Sequence, residues 1–134
     1  MAGYSSRSLV DKLGIKPGTR IAILNAPRGY RATLQPLPPG VRITVTARGS
    51  LPFIHFFTKS RRAFESKLPG LLRALTPDGA LWVSWPKRVS GVATDMTEDV
   101  VRAVAVPTGL VDVKVAAVDD VWSGLKLVRR LKLR

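Results

Sequence analysis

The chain has 134 residues, 46% of them hydrophobic and 23% charged, which predicts one domain over 1–134 with a sizeable core and excludes a disordered chain. It contains no cysteine, which excludes a disulfide framework, a thiolate zinc site and a cysteine nucleophile together. Lys and Arg number 22 against 9 Asp and Glu, and the net charge of +13 favours polyanionic partners.

The first residues, M-A-G-Y-S-S-R-S, carry no apolar signal-peptide core. No apolar run approaches the roughly 18 residues of a membrane helix, so a cytoplasmic protein without a membrane span is expected. Ser5 to Leu13 reads as a short helix, with Ser5, Ser6 and Ser8 as candidate N-caps and Gly14 as the C′ residue. Pro17-Gly18 turn the chain into Arg20–Asn25, an apolar run that fits a central parallel strand covered on both faces. After the loop from Asn25 to Gly29, Tyr30, Ala32, Thr33 and Leu34 have room for one or two helical turns before Pro36, Pro38 and Pro39. Val41 to Thr46 alternates apolar and polar residues, the pattern of a half-exposed strand near a sheet edge, and Ala47 to Pro52 reads as loop.

Phe53 to Phe57 is a second buried strand, and Ser60 then caps a helix. Phe64, Leu68, Leu71, Leu72 and Leu75 form its apolar stripe, with Pro69 predicting a kink or two abutting helices. Thr76-Pro77-Asp78-Gly79 is a turn signal leading into Ala80–Trp85, a third buried strand. Pro86 to Thr94 is a loop. Asp95 and Glu98 have capping-box spacing for a helix carrying Val100, Val101 and Val104 and ending before Pro107. Val111 to Val118 alternates as a strand, Asp119 to Gly124 turns, and Leu125 to Val128 returns antiparallel to it, so that the hairpin adds an antiparallel edge, followed by a basic tail at 129–134. Strands alternating with helices predict an α/β sandwich of three layers, its sheet mostly parallel with an antiparallel C-terminal hairpin.

Three segments resemble class I methyltransferases: Lys12 to Arg20, leading into the first strand; Leu71 to Val83, a helix, Pro-x-Gly turn and strand; and the C-terminal helix with its closing hairpin. The resemblance implies a Rossmann-like fold, with its topological switch at the first strand and one intermediate strand and its helix missing. The whole chain is also similar to a family of small bacterial proteins of unknown function. That similarity rests on Tyr4-Ser5, Lys12-Leu13-Gly14, Leu24 to Pro27, Trp85-Pro86-Lys87, Ser90 to Asp95 and Trp122 to Leu125. The methyltransferase pattern has a glycine-rich loop after strand one and an acid at the end of strand two. Here only Gly29 remains beside Pro27, and Thr46-Ala47-Arg48-Gly49 places a cation where the acid would stand.

Ligands of open α/β sheets bind beyond the carboxyl ends of the strands. That edge is expected to collect Asn25, Arg28, Gly29, Arg48, Lys59, Trp85, Lys87, Arg88, Ser90 and Thr94, a set of cations, hydroxyls and amides suited to an anion. Trp85 has the position to stack a base, whereas Trp82, three residues earlier, points to the opposite face. His55, the only histidine, sits mid-strand on the face of Phe53 and Phe57 and reads as a core group, and Asp119-Asp120 as a solvated turn. No catalytic constellation and no metal-ligand spacing is present. The expected function is therefore a non-catalytic binding domain, without cofactor, for a nucleotide-like molecule or a nucleic acid. A divergent S-adenosylmethionine-dependent methyltransferase is the alternative. A subunit that pairs through its hairpin edge or a valine-rich face is a third reading.

Overall fold

The computed structural model describes residues 8–134. Its elements are α1 (Leu9–Leu13), β1 (Arg20–Leu24), α2 (Tyr30–Thr33), β2 (Arg42–Thr44), β3 (Leu51–Phe57), α3 (Arg61–Ala74), β4 (Leu75–Pro86), α4 (Glu98–Ala105), β5 (Leu110–Ala117) and β6 (Trp122–Arg129). The strands form one sheet in the order β2-β1-β3-β4-β6-β5. β1 runs parallel to β2 and β3, and β3 to β4, so the chain switches direction across the sheet beside β1. β6 is antiparallel to both β4 and β5. The C-terminal hairpin thus adds the antiparallel edge expected from the sequence, with β6 against β4 and β5 outermost.

Alternation along the strands feeds two cores. Ile21 and Ile23 of β1 join Val10, Leu13, Tyr30 and Leu34 under α1 and α2, whereas Ala22 and Leu24 face α3 and α4. Trp82 and Trp85 part in the same way, each to its own face. Trp82 is fully buried, and its Nε1 donates to the carbonyl of Leu13 at 3.0 Å, tying the end of α1 to the sheet. Gly124 of β6 has no room for a side chain: a Cβ there would lie 3.0 Å from Ser84 Oγ and 3.2 Å from the Trp82 ring.

Several boundaries differ from the sequence expectation. α1 begins at Leu9 with Ser8 as its cap, Ser8 Oγ accepting from the Asp11 amide; Ser5 and Ser6 lie outside the described residues. α3 is one helix running through Pro69, buried along Phe64, Leu68, Leu71 and Ala74, and Leu75 already belongs to β4. Leu51 and Pro52 belong to β3 and not to a loop. Thr76 to Gly79 does not end an element. β4 advances from Leu75 to Ala80 while β3 advances only from Leu51 to Phe53, so the Pro-Asp-Gly segment bulges from a continuing strand. α4 ends at Ala105, before Pro107 as expected, with Pro107 in the 3₁₀ turn Val106–Thr108 that follows, whereas Trp122 to Gly124 are strand, not turn.

In β5 a bulge between Asp112 and Lys114 swaps the faces of the strand. Asp112 accepts from Arg102 Nε of α4 at 2.8 Å, and Lys114 Nζ donates to the Lys12 carbonyl on the other side of the sheet at 2.9 Å. Val113 and Val115 are left 52% and 48% exposed, so the valine alternation marks no buried face. A bulged edge with charges drawn to both faces is poorly shaped for strand addition.

Between β2 and β3 the chain crosses back with no helix, using only residues 45–50. Parallel strands are ordinarily joined by about a dozen residues or more. This short crossover lies on the α3 face, where Ala47 packs, and Arg20 Nη1 at the start of β1 donates to the Arg48 carbonyl at 3.0 Å.

Candidate functional site

The carboxyl edge begins with the loop after β1. Asn25 and Gly29 both take left-handed backbone conformations, with φ of 59° and 86°, and the Tyr30 amide donates to the Pro27 carbonyl at 3.2 Å. Tyr30 then turns into the core, 2% exposed. Its hydroxyl lies 2.5 Å from His55 Nδ1, and His55 Nε2 lies 2.7 Å from Ser84 Oγ. The ring of His55 stacks on Phe57 with centroids 4.1 Å apart. His55 and Ser84 are fully buried. Desolvation pushes the His55 pKa down to about 3 and raises that of the Tyr30 hydroxyl above its ordinary value. A neutral imidazole has one donor and one acceptor, and its two neighbours meet both. The histidine is thus a satisfied core group bridging α2, β3 and β4.

The loop after β4 behaves differently. Past Pro86, a 3₁₀ turn over Arg88–Ser90 ends at Gly91, φ 77°. Ser90 Oγ donates to the Lys87 carbonyl at 2.6 Å and accepts from the Val92 amide at 3.2 Å, which fixes the turn. Thr94 Oγ1 donates to the Lys59 carbonyl at 2.7 Å and accepts from the Met96 amide at 3.0 Å, fastening the loop to the corner between β3 and α3. α3 is capped by Ser60 as expected, its Oγ accepting from the Ala63 amide at 3.1 Å, and Asp95 serves this helix and not the one its spacing predicts: its Oδ1 accepts from the Arg61 amide at 2.7 Å, at the start of α3. α4 is capped instead by Thr97, whose Oγ1 accepts from the Val100 amide at 3.1 Å. Between this loop and the sheet lies a cleft of about 380 Å³, lined by Trp85, Arg88, Thr94 and Thr97 with Gly91 to Ala93 at its rim.

Of the residues singled out in the sequence, Trp85, Arg88 and Thr94 meet in this cleft, with Ser90 and Lys59 bonded into the loop that forms it. Trp85 is only 6% exposed and belongs to the α3-side core, so it offers the cleft a margin of its ring and no stacking platform. Lys87 turns to the β5–β6 turn, its Nζ donating to the Asp119 carbonyl at 2.8 Å. There Asp119 Oδ1 accepts from the Val121 and Trp122 amides, as a turn aspartate does. Asn25, Arg28 and Gly29 stay in the β1 loop and do not line the cleft. Arg48 leaves the group: its carbonyl is held beside the start of β1, and it lines a separate cleft with Lys67 and Arg73. Thr97 and Met96 complete the β4 cleft without having been singled out, because their spacing signals only a helix start. From Lys12 to Phe64, the span containing β1, β2 and β3, the chain holds ten Lys and Arg and no Asp or Glu.

The fold is that of the class I methyltransferases. The chain superposes on a protein of Sulfolobus solfataricus assigned to the type 11 methyltransferases, with a TM-score of 0.65 and 15% identity over 91% of this chain and 89% of that one. It likewise resembles the N-methyltransferase NodS of Bradyrhizobium japonicum, with a TM-score of 0.60 and 11% identity over 90% of this chain and 92% of that one. NodS has also been solved with S-adenosyl-L-homocysteine. A third solved structure, the ribosomal protein L11 methylase of Lactobacillus delbrueckii subsp. bulgaricus, gives a TM-score of 0.56 and 12% identity over 91% of this chain and 75% of that one. No family model matches the sequence, and no curated protein matches it. Among the described residues no helix is long and apolar enough to cross a membrane.

Proposed function

We propose that this protein is a methyltransferase-fold domain that binds an anionic, nucleotide-like ligand at the carboxyl edge of its sheet and performs no chemistry on it. The observation that carries this reading is the cleft beyond β4, where Arg88, Thr94, Thr97 and the rim of Gly91 to Ala93 face one space. A guanidinium and hydroxyls are donors suited to phosphate or carboxylate oxygens. Asn25, Arg28, Lys59 and Lys87 extend the polar and positive character of this edge. S-adenosylmethionine carries a cationic sulfonium and a ribose whose hydroxyls call for an acidic partner. The acid-free, ten-cation span around β1 to β3 opposes both, and the loop after β1 is closed by Tyr30.

A second reading, a divergent S-adenosylmethionine-dependent methyltransferase, is favoured by the solved structures that share the fold, NodS with its bound S-adenosyl-L-homocysteine among them. Methyl transfer can proceed largely by positioning the reactants. Calorimetric titration separates the two. Binding of adenosine diphosphate, weakened about tenfold or more by Arg88→Ala through the loss of a charge-assisted hydrogen bond, supports the first. Heat with S-adenosylmethionine and none with adenosine diphosphate would replace it with the second.

A further inference from the structure

A second basic cleft lies on the α3 side of the sheet, away from the mouth of β4. Because the crossover from β2 to β3 has no helix, the space between it and α3 remains as a cleft of about 420 Å³. Arg48 and Thr46 line it from the crossover; Ser66, Lys67 and Arg73 line it from α3. Gly70 sits between them on the helix, and a Cβ there would lie 3.6 Å from Arg73 Nη2, so the guanidinium folds back over the glycine. Arg48, Lys67 and Arg73 take no part in the ion pairs found among the described residues, which join Arg61 to Glu65 and Arg102 to Glu98, Asp99 and Asp112. Glu65, the one acid of α3, belongs to a different groove, beside Leu68 and Val104.

The chemistry of this lining is one-sided. Two guanidinium groups, an ammonium and two hydroxyls supply donors; no carboxylate is present to accept from a sugar or a base edge, and no aromatic ring to stack one. Such a surface recognises closely spaced phosphate oxygens and is indifferent to what they carry. Like charges held together without counter-charge also repel one another, a cost that a polyanion relieves. The net charge of +13 and the acid-free span through β1, β2 and β3 extend the same field along the approach.

We infer that the cleft between the β2–β3 crossover and α3 is a track for the phosphodiester backbone of a nucleic acid, held without regard to base sequence. This is a separate site from the β4 cleft and does not depend on it.

The test is the anisotropy of a labelled, mixed-sequence duplex DNA titrated with the full chain over a salt series. Wild-type protein is expected to bind with a steep negative dependence of log K on log salt. The Lys67→Ala/Arg73→Ala double variant is expected to bind more weakly at low salt, with a slope shallower by about 1.8, at about 0.9 for each phosphate that it no longer neutralises. Arg48→Glu, on the crossover, gives an independent check and is expected to weaken binding in the same way, while Arg31→Ala, on α2 across the sheet, leaves DNA binding unchanged. Wild-type affinity and slope in the double variant would overturn the inference, as would a wild-type protein that ignores DNA at low salt. Loss of DNA binding in Arg88→Ala with the cleft variants intact would also overturn it, by moving the phosphates to the β4 cleft. Inorganic tripolyphosphate that binds as tightly as DNA would overturn it in favour of a compact phosphate ligand. Adenosine diphosphate binding to the double variant reports on the β4 site alone, so failure of one assignment is distinguishable from failure of the other.

Discussion

After β1 the chain turns inward at Tyr30, and after β4 it turns outward at Arg88, although both loops leave the same edge of one sheet and both contain a left-handed glycine. The surroundings decide the difference. Beneath the first loop, β3 presents His55 and Phe57, and Tyr30 meets the Phe57 ring edge-on with centroids 4.7 Å apart. Burying an aromatic side chain there is strongly favourable, and its hydroxyl keeps a partner. Beneath the second, Trp85 and Met96 already fill the core. A guanidinium has no counter-charge there to offset the cost of burial, so it stays in water and a cleft remains. Position at the carboxyl edge creates the opportunity for a site; the large side chain nearest the glycine decides whether that opportunity survives.

The largest effect is expected from emptying the closed side. Tyr30→Ala removes a buried ring and should cost about 3–5 kcal/mol of stability by denaturant unfolding. Tyr30→Phe keeps the ring but strands His55 Nδ1, and about 1–3 kcal/mol is expected. If both variants lose equally little, the loop is not closed by packing and the contrast with β4 fails. The next effect is a pH dependence. His55 is held neutral in the fold, with its pKa pushed down to about 3, while in the unfolded chain it titrates near its ordinary 6.5. Between those values the unfolded state takes up the proton first. Stability is therefore fully present above about pH 6.5 and is lost as pH falls towards 3, at up to about 1.4 kcal/mol per pH unit. His55→Gln should flatten that part of the acid limb, as measured by urea unfolding at stepped pH. The smallest effect sharpens the open side. Asp95→Ala leaves the Arg61 amide in the first turn of α3 without its carboxylate partner and should cost about 1 kcal/mol, while Arg88→Ala leaves the melting temperature unchanged.

The sequence carried the order and kind of most elements, because the apolar runs Ile21 to Leu24, Phe53 to Phe57 and Leu81 to Trp85 have the composition of strands covered on both faces. What escaped it depends on residues distant along the chain. Asp95 has the spacing to cap α4 but accepts from the first turn of α3, since a capping signal names a residue type and not the helix that folding brings alongside. Thr76 to Gly79 has turn chemistry, yet parallel pairing with β3 carries the strand past it as a bulge. The bulge in β5 leaves no mark in an alternating stretch such as Val-Asp-Val-Lys-Val. Of the candidate site, Trp85, Arg88 and Thr94 were legible because they follow a strand end. Arg48 was read into the same edge, whereas its cleft is shared with Lys67 and Arg73 of α3, a juxtaposition of residues about twenty positions apart that the local sequence does not mark.

The place of β6 between β4 and β5 has a consequence for how this protein emerges during synthesis. β5 borders only β6, and β6 is made after the other five strands of the sheet. Until its residues appear, β5 has no partner in the sheet, and Leu81 and Val83 of β4 lack the neighbours that Leu127 and Leu125 later provide. The long-range pairing that completes the sheet thus waits for the C-terminal hairpin, so the last quarter of the chain is expected to lock in as one cooperative step. A truncation that removes β6 would release two strands, not one.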